Sequence, residues 1–209
     1  ELIEKDSLDW RDRKKIEDIL KKQSDLEQKI NELKNENKQN FNKLNSTTPP
    51  SKEMMKKQQD LAELFDKIIP EEMKNLYREL EKLKDELNKD DLQQKLQDLQ
   101  LSNEDLEKEL DRNLEILKQV EFEQKLDNII NRLGVLKESQ TKLSEDSKQA
   151  MPEKMKSQKR DNEEFKNIKK EIRELRDLNN NLENKQKIQE TKQAENTIQE
   201  DLNNGEKSL

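Results

Sequence analysis

Apolar residues recur along this chain at alternating steps of three and four, and charged or polar residues fill the positions between them. In the first segment the residues on this series are Ile16, Ile19, Gln23, Leu26, Ile30, Leu33 and Asn37. This period is typical of an amphipathic helix that packs lengthwise against a partner helix. Gln23 and Asn37 are polar members of the series. They either set the register and partner number of the helices or are simply tolerated in a weakly apolar coil.

Two proline-containing segments divide the pattern, since proline cannot continue a helix. One ends in the pair Pro49-Pro50, and the other ends in Met151-Pro152. The predicted segments are a first coiled-coil helix at 1–44, a linker at 45–50, a central helical arm at 51–143, a second linker at 144–152, a C-terminal coiled-coil helix at 153–202 and a flexible tail at 203–209. We expect the central arm to bend near Pro70 and Asp90.

The longest uninterrupted helix of the central arm is predicted at 102–143. Ser102 is a suitable N-cap, Asp105 completes a capping box, and Leu101 and Leu106 have the spacing of a hydrophobic staple. Further along, the apolar pattern is interrupted by a step of nine residues instead of seven, between 117 and 126. This slip rotates the apolar stripe around the helix, so we expect the two halves to pack against different neighbours.

The fold class predicted from this pattern is all-α: an elongated antiparallel helical bundle or coiled coil with long amphipathic helices. Hydrophobic residues make up 28% of the 209 residues and charged residues 44%. This apolar fraction is too small for a wide globular core, but it matches the two positions in seven that a coiled coil requires. Parallel self-association into a rod is the second possibility.

The residue types present argue against catalysis. There is no Cys and no His, and two glycines cannot build a phosphate-binding loop. The abundant carboxylates lie on solvated helix faces, which do not separate the pKa values of an acid and a base. We therefore predict a non-enzyme with no catalytic residues, no metal site and no cofactor. The net charge is -7 and charges of both signs are interleaved, so we do not expect the chain to bind nucleic acid.

Two stretches are candidates for partner binding. The first is the most apolar patch of the sequence, formed by Leu61, Leu64, Phe65, Ile68 and Ile69. It predicts either helix–helix packing, which we favour, or a groove for a partner or a membrane surface.

The second candidate is the basic stretch 154–176, which includes Lys169, Lys170 and Arg173. It predicts either an ordinary charged helix surface, which we favour, or a binding site for acidic lipid or nucleic acid.

Two sequences in the centre of the chain carry a resemblance to a known family. They are Leu61-Ala62-Glu63-Leu64-Phe65-Asp66 and Leu101-Ser102-Asn103-Glu104-Asp105-Leu106-Glu107-Lys108-Glu109-Leu110-Asp111-Arg112. With the Lys/Asn/Glu-rich composition, they resemble uncharacterised Bacteroidota proteins in which N-terminal transmembrane helices precede a long charged coiled-coil region. The resemblance covers roughly residues 1 to 180. It implies the soluble part of a membrane-anchored envelope protein, in the periplasm or on the cytoplasmic face.

The function expected from these observations is a coiled-coil structural, scaffolding or protein-interaction module, with other proteins as partners and self-association as a possibility. Without the resemblance, we would place the chain in the cytoplasm. The sequence begins at Glu1 without a methionine, so we expect a fragment or a processed product. Membrane association would then depend on an anchor outside this chain. The alternative function is binding of anionic surfaces through the basic stretch 154–176.

Overall fold

A computed structural model describes residues 10–46, 49–83, 89–145 and 150–208. Within these ranges the chain forms six α-helices and no β-strand, so the all-α prediction is confirmed. The helices are α1 (Trp10–Leu44), α2 (Lys52–Lys67), α3 (Glu71–Leu83), α4 (Lys89–Glu145), α5 (Met151–Asn180) and α6 (Lys192–Ser208). None of these described helices is long and apolar enough to cross a bilayer.

The chain forms two compact helical units. Unit 1 comprises Glu1–Gln39 and Lys56–Leu117, and unit 2 comprises Asn40–Met55 and Lys118–Leu209. The boundary inside α4 falls between residues 117 and 118, where the predicted nine-residue step of the apolar pattern begins. Each half of α4 therefore contributes its apolar residues to a different unit.

The breaks between helices in unit 1 follow from local chemistry. Pro70 lies between α2 and α3, and its carbonyl oxygen accepts the first backbone hydrogen bonds of α3, from Met73 and Lys74. Glu71 in the first turn favours the positive end of the helix dipole and pairs with Lys74 at 2.6 Å. The expected bend at Pro70 is thus an interruption between two separate helices.

Helices of unit 1 pack antiparallel in two pairs. In the first pair, Gln58 of α2 donates to Asn37 of α1, and Asp66 of α2 pairs with Lys34 of α1. In the second pair, α3 and α4 are joined by Tyr77 with Asn103 and by Glu79 with Lys95. The buried apolar side chains of the unit include Ile16, Leu26, Ile30, Leu61, Phe65, Ile68, Met73, Leu80, Leu96, Leu99, Leu106 and Leu110.

The predicted helix start at Ser102 is wrong, because α4 is already helical from Lys89. Leu96 and Leu99 are buried on the same apolar series as Leu106, so packing continues through the capping sequence. Leu101, expected in a staple with Leu106, is instead 56% exposed. A capping box is a local preference of about 1 kcal/mol, and burial of several leucines outweighs it.

In unit 2, α5 packs antiparallel against the C-terminal half of α4. Lys125, early in this half of α4, pairs with Glu174 late in α5 at 3.1 Å. Gln140, later in α4, donates a hydrogen bond to Asp161 early in α5 at 2.8 Å. The main apolar cluster of the unit consists of Phe122, Ile129, Ile168, Leu175 and Leu182. The second half of α4 thus packs against α5, as expected from the step in its apolar pattern.

The segment predicted as one helix at 153–202 is two helices, α5 and α6, separated by residues 181–191. Helix α6 returns along α5: Glu195 pairs with Arg176 at 3.1 Å, and the Leu202 carbonyl accepts a hydrogen bond from Gln158 at 3.1 Å. Residues 203–208, predicted as a flexible tail, belong to α6. Burial of Leu202 against Phe165 and Leu136 gives this final segment an apolar anchor.

The predicted linkers correspond in part to described residues. Residues 45 and 46 form a turn after α1, and residues 49 and 50 precede α2. Helix α4 extends to Glu145, and Pro152 lies in the first turn of α5, where a missing N–H costs nothing. Residues 47–48, 84–88 and 146–149 lie outside the described part of the chain. Asp90, where a bend was predicted, lies in the first turn of α4, directly after the second of these gaps.

Candidate functional site

The apolar patch predicted at 61–69 lies mostly in the interior of unit 1. Leu61, Phe65 and Ile68 are buried, with exposed fractions of 1%, 3% and 6%. Ile69 is partly buried, and Leu64 is the exposed member. Three of these five side chains are therefore occupied by the unit's own packing, and a partner could reach only the remaining two and the edge of Ile68.

Ile68 also forms part of a concave surface in unit 1, which we call the apolar groove. This groove has a volume of about 360 Å³ and is lined by residues from the connection between α2 and α3, from α3 and from α4. They are Ile68, Pro70, Met73, Leu76, Ser102, Asp105, Leu106 and Glu109. The floor is thus aliphatic, and two carboxylates stand on the α4 side.

A buried polar contact fixes α3 against α4 beside this groove. The Tyr77 hydroxyl, on a side chain only 3% exposed, donates to the Asn103 carboxamide oxygen. Burial raises the pKa of Tyr77 to about 12, the hydrogen bond to Asn103 opposes that change, and the negative charge of Glu27 adds to it. The sequence alone does not predict this pair. Asn103 stands among charged residues and has no local feature that predicts its burial.

The second predicted site, in α5, shows a separation of charge that the linear sequence hides. Glu164 and Glu171 face α4, where both accept hydrogen bonds from Arg132, each at 2.6 Å. Glu174 pairs with Lys125, also on α4. Three of the carboxylates interspersed in the basic stretch are therefore directed to the α4 side of the helix.

Beside the α4-facing side of α5, four cations line a depression that we call the basic groove, and one of them, Lys170, also lies next to the carboxylates on that side. It has a volume of about 190 Å³ and is lined by Lys166, Lys169, Lys170, Arg173 and Gln199, the last from α6. The structure brings the predicted residues Lys169, Lys170 and Arg173 together here and adds Lys166 to them. No acidic side chain of the described chain lines this groove, and none forms an ion pair with these four cations.

A third concavity, the polar chamber, lies in unit 2 on the side of α5 that faces α4. Its volume is about 540 Å³. Its charged lining residues are four cations and four acids, namely Lys43, Lys125, Arg132, Lys170, Glu121, Glu164, Glu171 and Glu174. Burial lowers the pKa of Arg132, but its hydrogen bonds to Glu164 and Glu171 outweigh that effect and raise it. Because its charges balance, the chamber does not select a ligand of one sign.

The described residues contain no group of three or more acidic, His or Cys side chains placed to hold a metal ion.

Sequence reasoning missed the two residues that organise unit 2, Arg132 and Asn179. Asn179 lies inside the helix predicted at 153–202, although it stands in the run Asn179-Asn180-Asn181, which favours a turn. That run was the available signal for the end of α5. For Arg132 no local signal exists, since its partners lie more than 30 residues away.

Comparison with protein-family models, with curated proteins and with solved structures finds no match to this chain.

Proposed function

We propose that this chain is a non-enzymatic helical scaffolding and protein-interaction module, and that its partner inserts apolar side chains into the apolar groove of unit 1. The observation that supports this proposal most directly is the composition of that groove. Its floor includes Ile68 from the connection between α2 and α3, Met73 from α3 and Leu106 from α4, so the packing of the unit itself creates the concavity. Grooves of this kind accept the apolar face of an amphipathic helix.

The charges around the groove specify the partner further. Asp105 and Glu109 stand on its α4 side, and their ion pairs with Lys108 and Arg112 are exposed contacts within one turn of the helix. Such exposed pairs contribute little and exchange readily with other cations. A helix that carries Lys or Arg beside its apolar residues would therefore complement this groove in both polarity and charge.

Specific contacts between helices support a scaffolding role for unit 1. Tyr77 with Asn103 and Glu79 with Lys95 join α3 to α4 at two places that are eight residues apart on α4. A buried polar pair penalises other registers, because a shift would leave its groups without partners. The walls of the groove are thus held in one arrangement before any partner binds.

The resemblance to Bacteroidota envelope proteins motivates a narrower proposal about location. We propose that the module belongs to an envelope protein and presents the apolar groove to another envelope component. Fractionation of the producing cells with an antibody to this chain would test it. Recovery with the membranes is expected, and recovery only in the cytosolic fraction would reject this part of the proposal.

A crosslinking experiment tests the interaction itself. A photoreactive amino acid at Leu76, a partly buried groove residue, would capture the bound protein in cells for identification by mass spectrometry. The same probe at the exposed Leu64, outside the groove, is the matched control. Binding of the purified partner to the full chain is then measured with Leu76→Lys and Leu64→Lys. Loss of a buried apolar contact at the groove should weaken binding about tenfold or more.

Three results would contradict the proposal. The first is capture of the same proteins by the probe at Leu64 as by the probe at Leu76. The second is an unchanged affinity of the Leu76→Lys variant for the partner. The third is an equal loss of affinity in the Leu76→Lys and Leu64→Lys variants. Circular dichroism of each variant verifies that its helical content matches that of the unsubstituted chain.

A further inference from the structure

We propose that the basic groove between α5 and α6 is a binding site for a soluble oligophosphate, meaning a small anion with two or more linked phosphate groups. This inference is independent of the protein-binding function proposed for unit 1. It narrows the broader expectation of anionic-surface binding by the basic stretch 154–176 to one site and one class of ligand.

The spacing of the four cations is the first support. Lys166, Lys169, Lys170 and Arg173 follow steps of three, one and three residues, which places them on one side of α5 over two helical turns. At 1.5 Å per residue they extend over about 10 Å. Two or three linked phosphate groups have a comparable length, whereas one phosphate could reach only part of this set.

The second support is that three of the carboxylates of α5 are engaged elsewhere. Glu164 and Glu171 hold Arg132, and Glu174 holds Lys125, all on the side facing α4. Neutralisation of the groove by these acids would therefore require breaking their contacts with α4. Four like charges at this density repel one another, and an anion between them relieves that repulsion.

The third support is the neutral character of the α6 wall. Gln199 lines the groove, and Asn196, one turn earlier, accepts a hydrogen bond from Lys169 at 3.4 Å. Gln199 also donates to Asn203, one turn later, at 3.3 Å. These amides can donate hydrogen bonds to phosphate oxygens without adding a negative charge. Arg173 can bind a phosphate through two parallel N–H donors.

The shape of the site favours a small ligand over a membrane or a nucleic acid. The cations surround a depression of about 190 Å³ with α6 on one side, and only two turns of α5 contribute. A nucleic acid would be expected to use a longer basic track and aromatic side chains for stacking, and no aromatic residue lines the groove among the described residues.

Calorimetric titration of the full chain with sodium tripolyphosphate at about 0.15 M ionic strength, where the Debye length is about 8 Å, tests the proposal. The groove variant combines Lys166→Gln, Lys170→Gln and Arg173→Gln. The matched control combines Lys137→Gln, Lys142→Gln and Lys185→Gln, which removes three exposed cations elsewhere in unit 2 and changes the net charge equally. We expect the groove variant to lose about tenfold or more in affinity, because charge-assisted hydrogen bonds are lost. The control should change by about twofold or less, since distant exposed charges are screened.

A second measurement uses the unsubstituted chain and so does not depend on the folding of a variant. Lysine acetylation followed by mass spectrometry should show protection of Lys166, Lys169 and Lys170 by tripolyphosphate, with Lys137 and Lys142 unaffected. Parallel titrations use phosphatidylcholine vesicles containing phosphatidylglycerol, and duplex DNA.

The proposal is overturned by absence of tripolyphosphate binding, by equal losses in the groove variant and the control, or by uniform acetylation. Binding to vesicles or DNA with no binding to tripolyphosphate would also overturn it, since the groove would then recognise a surface or a polymer.

Discussion

Asn179 forms a two-way hydrogen bond with the backbone of Gln186, seven residues later in the chain. Its carboxamide oxygen accepts from the Gln186 N–H at 2.7 Å, and its amide nitrogen donates to the Gln186 carbonyl oxygen at 2.9 Å. The side chain is buried, so both of its polar groups are satisfied within the turn. This pair closes the connection that allows α6 to return along α5 and form the second wall of the basic groove.

We expect Asn179→Ala to destabilise unit 2 by about 1–3 kcal/mol, because the Gln186 backbone groups lose their partner. Asn180→Ala is the control, since the neighbouring Asn180 is exposed and should change stability by less than about 0.5 kcal/mol. Urea unfolding followed by circular dichroism measures both. Equal stability of the two variants would show that the turn does not depend on Asn179.

Loss of the Arg132 contacts should lower the free energy of unfolding more than loss of an exposed ion pair does. Arg132 is 14% exposed at its side chain, and its partners Glu164 and Glu171 are 37% and 31% exposed. Arg132→Gln should cost about 1–2 kcal/mol, less than a fully buried pair because the carboxylates remain partly solvated.

Arg112→Gln provides the comparison for Arg132. Arg112 is 71% exposed and pairs with Glu109 within one turn of α4, so its loss should cost under about 0.5 kcal/mol. Urea unfolding at moderate salt measures the two substitutions side by side. A cost at Arg132 no greater than that at Arg112 would contradict the role given to Arg132.

Titration of Tyr77 tests its burial directly, because it is the single tyrosine of the sequence. Its pKa should be about 12 in the folded protein and about 10 after unfolding in denaturant. Between these values the folded state keeps a proton that the unfolded state has lost, so stability falls as pH rises through this range and is unaffected by this group below it. Ultraviolet absorbance of the phenolate measures the pKa. A native value near 10 would disprove burial, and Tyr77→Phe should remove this part of the pH dependence.

Gly134 offers a site for stabilisation. A Cβ atom added there would have no neighbour within 4 Å, so Gly134→Ala should improve α4 by about 1 kcal/mol through helix propensity alone. Gly205→Ala is the comparison, because its Cβ would contact the Gln158 side chain at 3.4 Å and because it lies in the last turn of α6. We expect a smaller gain there, under about 0.5 kcal/mol, since helix ends fray. Thermal unfolding compares the two, and no gain at Gly134 would indicate a neighbour on that face.

Much of the fold could be read from the residues, but the candidate sites could be read only in part. The period of three and four residues predicts helices because it is a property of one segment at a time. The basic stretch was visible for the same reason. The separation of charge within it was not visible, because Glu164 and Glu171 stand between the cations in the sequence but face α4 in the structure. The apolar patch at Leu61 was equally visible, but whether it faced a partner or the interior depended on α1, α3 and α4.

By itself, the sequence determined that the chain is helical, where proline interrupts it, and that the apolar stripe of α4 changes direction after Leu117. These are consequences of local geometry and composition. Only the tertiary structure decided that α4 continues through the capping sequence at Ser102 and that α6 folds back beside Lys169. Each of these depends on contacts between residues far apart in the chain, whose burial and hydrogen bonding outweigh the modest preferences of single positions.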